Sequence, residues 1–302
     1  MSRSGIAQLI VLWALLLLGT LALSFAFSVR TEAQASRNGL DLDRAYFQAR
    51  TGVERAIALL SSAGTDNVLG RVITGGEDNV AYEVRVVAEG GKIDVNFVTE
   101  EVLKEVLRKG GLSEEEAQRV GDAILDWRDE DDRPRQNGAE AGDYASLPEP
   151  VRPRNGRMTG LWELRYVRGV SPGFFDRFLS VVFTTDGGYP GVNLNLAPPE
   201  VLRALPGFTP ELADLVVSRR EDAPFRSAAD VAAFFAGEGV PLPAIPLFST
   251  GGASRAYTIT STGRSGERIA RAVRCTIELR GGVNPYKIKR WEDHVPVRGE
   301  GG

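Results

Sequence analysis

The stretch Met1-Ser2-Arg3-Ser4-Gly5, followed at once by Ile6-Ala7-Gln8-Leu9-Ile10 and an apolar run that continues to Val29, decides how this chain is read. The run holds about 24 residues, more than the roughly 20 that a helix needs to cross the hydrocarbon layer of a bilayer. Its polar residues, Gln8, Thr20, Ser24 and Ser28, carry no charge, and Arg30 closes it. A secretory signal has a shorter apolar core and a small-residue cleavage site behind it. Here a glycine, Gly5, stands in front of the run instead. The ordinary alternatives are a plain signal anchor, or a signal peptide cut near Ala26 or Ser28.

Working outward, the helical pattern continues beyond Arg30. Leu42, Ala45, Ala49, Val53, Ala56, Ile57 and Leu60 recur at steps of three and four, one apolar helical face. One long helix is expected from Ile6 to about Leu60, its first half in lipid and its second half packed on a folded domain. Residues 61–78, rich in Gly, Ser, Thr and Asn, read as a loop. Val80 to Val87 alternates as a half-buried strand, Glu89-Gly90-Gly91 makes a turn, and Lys92 to Asn96 is expected to return as a second strand. Near the end, Tyr257–Thr262 and Ile269–Leu279 read as two strands joined through Gly263–Gly266, with a last short strand at Tyr286–Trp291. Between these β-rich portions, Asn96 to about Pro246 is helical by periodicity, with its largest loop from Arg133 to Gly160. The fold class read from this is α+β: a long N-terminal helix packed on a small antiparallel sheet, with a large inserted all-α domain containing two helix-hairpin-like repeats. The expected division is leader 1–5, membrane helix 6–29, α/β domain 30–95 and 251–292, inserted helical domain 96–250 and disordered tail 293–302.

Composition excludes several function classes. The chain has 40 acidic and 36 basic residues, a formal charge of −4, which is the wrong sign for a general nucleic-acid binder. One cysteine, Cys275, rules out an intrachain disulfide framework and a thiolate metal cluster. One histidine, His294, removes most histidine-based catalysis and any multi-histidine zinc site. No nucleophile, phosphate cradle or substrate pocket accompanies the carboxylates, so the chain reads as non-enzymatic.

Two internal segments are alike. Ile93-Asp94-Val95-Asn96 leads to Val102-Leu103, and Val192-Asn193-Leu194-Asn195 leads to Val201-Leu202; each copy then reaches a glycine turn, Gly111-Leu112 and Gly207-Phe208, and a second helix. The second copy resembles a helix-hairpin-helix, which grips DNA phosphates through a Gly-hydrophobic-Gly turn and helix N-terminal amides. Here Thr209 replaces the second glycine and Pro210 offers no N–H, while Arg219 and Arg220 remain as residues able to meet an acidic surface.

The leader resembles that of type IV pilins and of the pseudopilins of type II secretion. That resemblance implies a cut by the prepilin peptidase between Gly5 and Ile6, with the helix retained. Most pilins have glutamate at the fifth mature position; here it is Ile10, an absence characteristic of the general secretion pathway protein K family. The interior resembles that family too. Its N-x-N-x-A-x-x-x-V/L-L-x-x-L pattern is matched from Asn193 through Ala197 to Leu202 and Leu205, its D-W-x-D by Asp126 to Asp129, its G-A-E by Gly138-Ala139-Glu140, and its N-terminal helix by Tyr46 to Glu54. The resemblance implies a minor pseudopilin of the inner membrane, with a cytoplasmic N-terminus and periplasmic bulk. It implies partners among the minor pseudopilins of types H, I and J and the inner-membrane secretion platform. It implies a place at the pseudopilus tip, initiating assembly and aiding export of folded proteins across the outer membrane. The rival readings are a membrane-anchored helix-hairpin-helix DNA-binding protein of the competence type and a minor pilin of a type IV pilus.

Asp126, Asp129, Glu130, Asp131 and Asp132 lie close together, with Glu140 and Asp143 across the loop. Hard oxygen donors at a helix end and on a loop suit calcium, although the spacing is not that of an EF-hand. Calcium binding within the resembled family points the same way. The expected ligand set is Asp126, Asp129, Asp131, Glu140 and Asp143; the bland alternative is a solvated loop paired with Arg128, Arg133 and Arg135.

Overall fold

The computed structural model describes residues 3–62, 68–77, 79–188, 191–239, 248–249, 254–267, 269–281 and 284–297. Helix α1 (Arg3–Ser62) is a single helix of 60 residues, about 90 Å long at 1.5 Å per residue. Its described side chains are exposed from Ile10 to Leu40, and this stretch is long and apolar enough to cross a membrane. Further on, Ala45, Ala49, Val53 and Ala56 are wholly buried against a sheet. That sheet has five antiparallel strands: β1 (Val72–Glu77), β2 (Val80–Ala88), β7 (Ala256–Ser265), β8 (Ile269–Leu279) and β9 (Tyr286–Val295), in the order β1-β2-β7-β8-β9. The four strands between β2 and β7 in sequence lie elsewhere.

Small residues dominate the buried face of α1 because two backbones meet there. A Cβ on Gly263 of β7 would collide with the Ala45 carbonyl oxygen and lie 2.5 Å from Ala49 N. A Cβ on Gly52 would collide with the Ser261 hydroxyl and lie 2.7 Å from Val84 Cγ2. Around these contacts, Val84, Val86, Tyr257, Ile259, Val273, Cys275 and Ile277 form one core with α1.

Three expectations about the sheet are corrected. Residues 72–77, read as loop, form the edge strand β1; Gly75 and Gly76 hid it, yet they fit because a Cβ on Gly75 would collide with the Tyr82 ring of the paired strand. The strand expected to return from Lys92 to Asn96 is only β3 (Ile93–Asp94), and it pairs in parallel with β4 (Phe183–Thr184). The α/β portion therefore ends before Ile93. The tail expected from residue 293 instead continues β9 to Val295. Asp293 holds it there, accepting from the Tyr46 hydroxyl at 2.9 Å and from Trp291 Nε1 at 2.5 Å. Those partners lie on α1 and within β9 itself, so the polar composition of the tail carried no sign of them.

The intervening part has a separate core. Its elements are α2 (Glu100–Lys109), α3 (Glu114–Arg128), α4 (Ala141–Ala145), α5 (Pro172–Phe174), α6 (Ser180–Val182), α7 (Pro199–Ala204), α8 (Pro210–Asp222) and α9 (Ala228–Gly237), with a π-turn at Phe175–Leu179. The internal repeat is larger than a helix pair. β3 pairs in parallel with β4, and β5 (Val192–Asn193) pairs in parallel with β6 (Phe248–Ser249). In each copy an Asx oxygen accepts from the amide two residues on: Asp94 from Asn96 N at 2.9 Å, Asn193 from Asn195 N at 3.0 Å. Each following asparagine forms a two-way bridge to a distant backbone. Asn96 donates to Met158 O at 3.0 Å and accepts from Met158 N at 2.8 Å; Asn195 does the same with Phe225 at 2.8 and 2.8 Å. Each second helix ends on an arginine turned inward, Arg128 to Val95 O and Val98 O, Arg220 to Leu194 O and Ala197 O. Gly111 and Gly207 occupy the same left-handed conformation, at φ +99° and +78°. The copies differ in one place: Arg220 is followed five residues later by the bridged Phe225, whereas a long insertion separates Arg128 from Met158.

The helix-on-sheet contact is directly testable. Gly263→Val forces a branched side chain into the α1 backbone and is expected to cost roughly 3 kcal/mol or more. Gly39→Ala, on the free part of α1 with nothing near its Cβ, is expected to change stability by no more than about 1 kcal/mol, and to raise it. Urea denaturation of the full chain in detergent compares the two.

Candidate metal centre

Helix α3 opens with a capping box in which Ser113 Oγ accepts from Glu116 N at 3.3 Å and the Glu116 carboxylate accepts from Ser113 N at 2.9 Å. Asp122 and Asp126 then follow at a step of four, with Asp129 at the C-cap three residues on, so the three carboxylates share one face. The insertion folds back over this face because each carboxylate holds it. Asp122 accepts from Asn137 N and Nδ2, both at 3.2 Å, and pairs with Lys104 at 2.7 Å. Asp126, wholly buried, accepts from Arg135 Nη1 at 2.5 Å and from Arg135 N at 3.1 Å. The same guanidinium reaches Asp129 at 2.6 Å. Gly138 passes so close to Asp126 that any Cβ there would collide with its carboxylate.

This return brings Glu140 to Asp129 and Asp131. One carboxylate oxygen from each of the three lies within 4.8 Å of the others. Glu140 is only 4 % exposed, and neither of its oxygens has a hydrogen-bond partner; Asp129 Oδ1 is also buried and unpartnered. Unpaired buried carboxylates carry a large desolvation cost. Burial, and after it the charges of Asp126, Asp129, Asp132 and Asp131, push the Glu140 carboxyl up to about 7. An oxygen-only, charge-rich donor set with open lone pairs fits a hard divalent cation such as calcium.

Three of the five expected ligands are thus brought together, and two are not. Asp126 is committed to Arg135, and Asp143 accepts from Glu140 N at 3.0 Å and faces Arg168 at 3.6 Å, so it shapes the start of α4 rather than the centre. Of the expected arginine partners, Arg135 takes that role and Arg128 is turned to backbone carbonyls. Sequence reasoning missed Asn155. It adopts φ +46° and donates to Asp131 O at 3.1 Å and Asp132 Oδ1 at 2.6 Å, fixing the loop that carries Asp131. The Asn155-Gly156 dipeptide, a turn signal, was its only sequence trace. Gly5 and Ile6 fall in the opening turns of α1.

The hairpin-like turn at Gly207 is occupied from within the protein. Lys109 Nζ donates to Arg203 O, Leu205 O and Phe208 O at 3.3, 2.7 and 2.6 Å. Thr209 caps α8 by accepting from Leu212 N at 3.2 Å. The arginines expected to meet an acidic surface are engaged inside: Arg220 on carbonyls, and Arg219 on Ala223 O with its guanidinium 5.4 Å from the Phe225 ring centre.

Comparison with known proteins agrees with this anatomy. Two family models of type II secretion system (T2SS), protein K, match residues 84–187 and 192–249, meeting at the junction between the two repeat copies and together spanning more than half of the chain. The type II secretion system protein K of Pectobacterium carotovorum subsp. carotovorum is 35 % identical over 95 residues, 32 % of this chain and 29 % of that protein. That of Dickeya chrysanthemi is 32 % identical over 115 residues, 38 % of this chain and 29 % of that protein. The matched segment thus spans under a third of either curated relative. A chain of the GspK–GspI–GspJ complex from the enterotoxigenic Escherichia coli type 2 secretion system superposes with a TM-score of 0.61 at 15 % identity, covering 88 % of this chain and 100 % of that one, a likeness of fold. With the long helix on its antiparallel sheet, the doubled helical unit and both family models in register with that doubling, the chain belongs to the type II secretion system protein K family.

Proposed function

We propose that this chain is the K-type minor pseudopilin of a type II secretion pseudopilus, cut after Gly5, held in the inner membrane by α1 with its bulk in the periplasm, and placed at the filament tip with the H-, I- and J-type minor pseudopilins. There it initiates assembly on the inner-membrane platform and aids export of folded proteins. Its role is mechanical, with no catalytic step. The observation that carries this reading is the surface of α1. Leu40 and Phe47, two helical turns apart, are 57 % and 60 % exposed, beside a face that the sheet has already filled. Val53, on the apolar face that packs on the folded domain, is wholly buried in the sheet core, so the available anchors lie nearer the membrane. An amphipathic helix docks through anchors at such spacing. The bulky helical unit, with its own core, suits an end position where no further subunit stacks above it. A DNA-binding reading gains nothing from a hairpin turn in which Thr209 already takes the Leu212 amide and Pro210 offers no N–H.

We further propose that Asp129, Asp131 and Glu140 hold calcium, supported by the orphaned carboxylate oxygens at their centre. Bound there, the ion would offset the mutual repulsion of the three side chains and pin the insertion to α3.

Intact-mass measurement of membrane-extracted protein is expected to give a start at Ile6, and Gly5→Leu to leave the precursor uncut; a start beyond Ala26 would refute the pseudopilin reading. Co-expressed with its I- and J-type partners, the protein is expected to elute as a one-to-one-to-one complex in size-exclusion chromatography with light scattering. Phe47→Glu is expected to weaken that complex at least tenfold without lowering the melting temperature.

Calcium in about hundredfold excess over its dissociation constant stabilises a folded protein by about 2.7 kcal/mol, so melting should rise with calcium and fall with chelator. The Glu140 carboxyl lies above its ordinary 4.5 in the folded chain. Its contribution to metal-free stability is therefore present below about pH 4.5 and lost as pH rises through about 7. Glu140→Gln should stabilise the chelated protein at pH 8 and abolish the calcium-dependent rise.

A further inference from the structure

The two edges of the five-stranded sheet differ. β1 is six residues long, carries Gly75-Gly76 at its end and has Gly76 at φ +129°, a short irregular edge of the kind that resists further pairing. β9 is ten residues long and, among the described residues, its one strand neighbour is β8, so the outer edge of its first half, Tyr286–Arg290, carries no further strand. Apolar surface collects beside it. Outside α1, the described residues expose eight large hydrophobic side chains, and five of them belong here: Tyr286 and Ile288 on β9, Val297 just after it, and the edge-to-face pair Trp162 and Tyr166. Trp162 and Arg290 flank one point: a Cβ on Gly160 would collide with the indole and lie 3.3 Å from Arg290 Nη2. The first half of the strand, Tyr286–Arg290, carries cations and no acid, while the two acids of the second half are engaged, Glu292 with Arg274 and Asp293 with Tyr46 and Trp291. Lys289 is paired with Asp186, while Lys287 and Arg290 have no carboxylate partner among the described residues.

Lysines and the register shift opposite Thr276 and Ile277 also serve to blunt an edge against pairing. That use gives no reason for a half-exposed tryptophan and tyrosine next to the strand. An unpaired edge with an aromatic platform and unneutralised cations is the combination used in strand addition, where backbone hydrogen bonds give affinity and side-chain contacts give selectivity. We propose that β9 accepts an extended acidic segment of a partner protein as a sixth strand, with an apolar side chain of that segment resting on Trp162.

The probe is a blocked, dye-labelled decapeptide of alternating glutamate and valine with one central phenylalanine, added to the full chain in neutral detergent at low salt. Its fluorescence anisotropy is expected to rise on binding, and the β9 amides are expected to gain protection in hydrogen exchange. The double variant Lys287→Glu/Arg290→Glu should weaken binding at least tenfold, and Trp162→Ala severalfold, with melting unchanged for both. The lysine-valine counterpart should not bind. No binding up to about 1 mM, equal binding by the lysine peptide, equal binding by the charge-reversed variant, or binding that leaves β9 unprotected would each overturn the proposal.

Discussion

The backbone of α1 lies against β7 with no side chain between them at Gly263, where a Cβ would run into the carbonyl of Ala45. That approach fixes the rest of the sheet half. Alanines at 45, 49 and 56 follow from it, because anything larger would hold the helix away and open voids beside Val84, Ile259 and Val273. Dispersion contacts fall off steeply with small gaps, so a helix held back by one side chain would lose much of this core. The same contact sets which face of α1 remains free, and hence where Leu40 and Phe47 stand.

The helical unit rests on a different device used twice. An inward arginine at the end of the second helix satisfies two carbonyls at the start of the first, and an asparagine clamps a distant backbone N–H and C=O. Both arginines lose charge stability to burial, a cost met by hydrogen bonds to groups that would otherwise be buried unpaired. These are the residues that a surface reading assigns to solvent or to an acidic partner.

The acidic centre exists because the first copy carries an insertion that the second lacks. Asp122, Asp126 and Asp129 would be a solvated helix face without the segment that returns over them. Once it returns, Glu140 is pressed among like charges with no donor to satisfy it. The site is a product of one loop meeting one helix, and Arg135 neutralises only its inner side.

The sequence by itself determined the membrane-length helix, the apolar stripe that continues it, the strands at 80–87, 257–262 and 269–279, and the existence of a repeat, because each rests on local periodicity; that β7 runs on through Gly263 to Ser265, where the sequence reads as a turn, came from its pairing with β2 and β8. It also marked the acidic segment, since composition alone reveals a run of carboxylates. Only the tertiary structure decided the edge strand at Val72–Glu77, the extension of β9 to Val295, the parallel partner of Ile93, and the gathering of Asp129, Asp131 and Glu140 apart from Asp126 and Asp143. Each of those depends on a partner far along the chain, and periodicity carries no information about which distant group a side chain meets. A carboxylate becomes a ligand or a salt-bridge partner according to whether an arginine reaches it first, and in Asp126 that was settled by Arg135 and the bare backbone of Gly138.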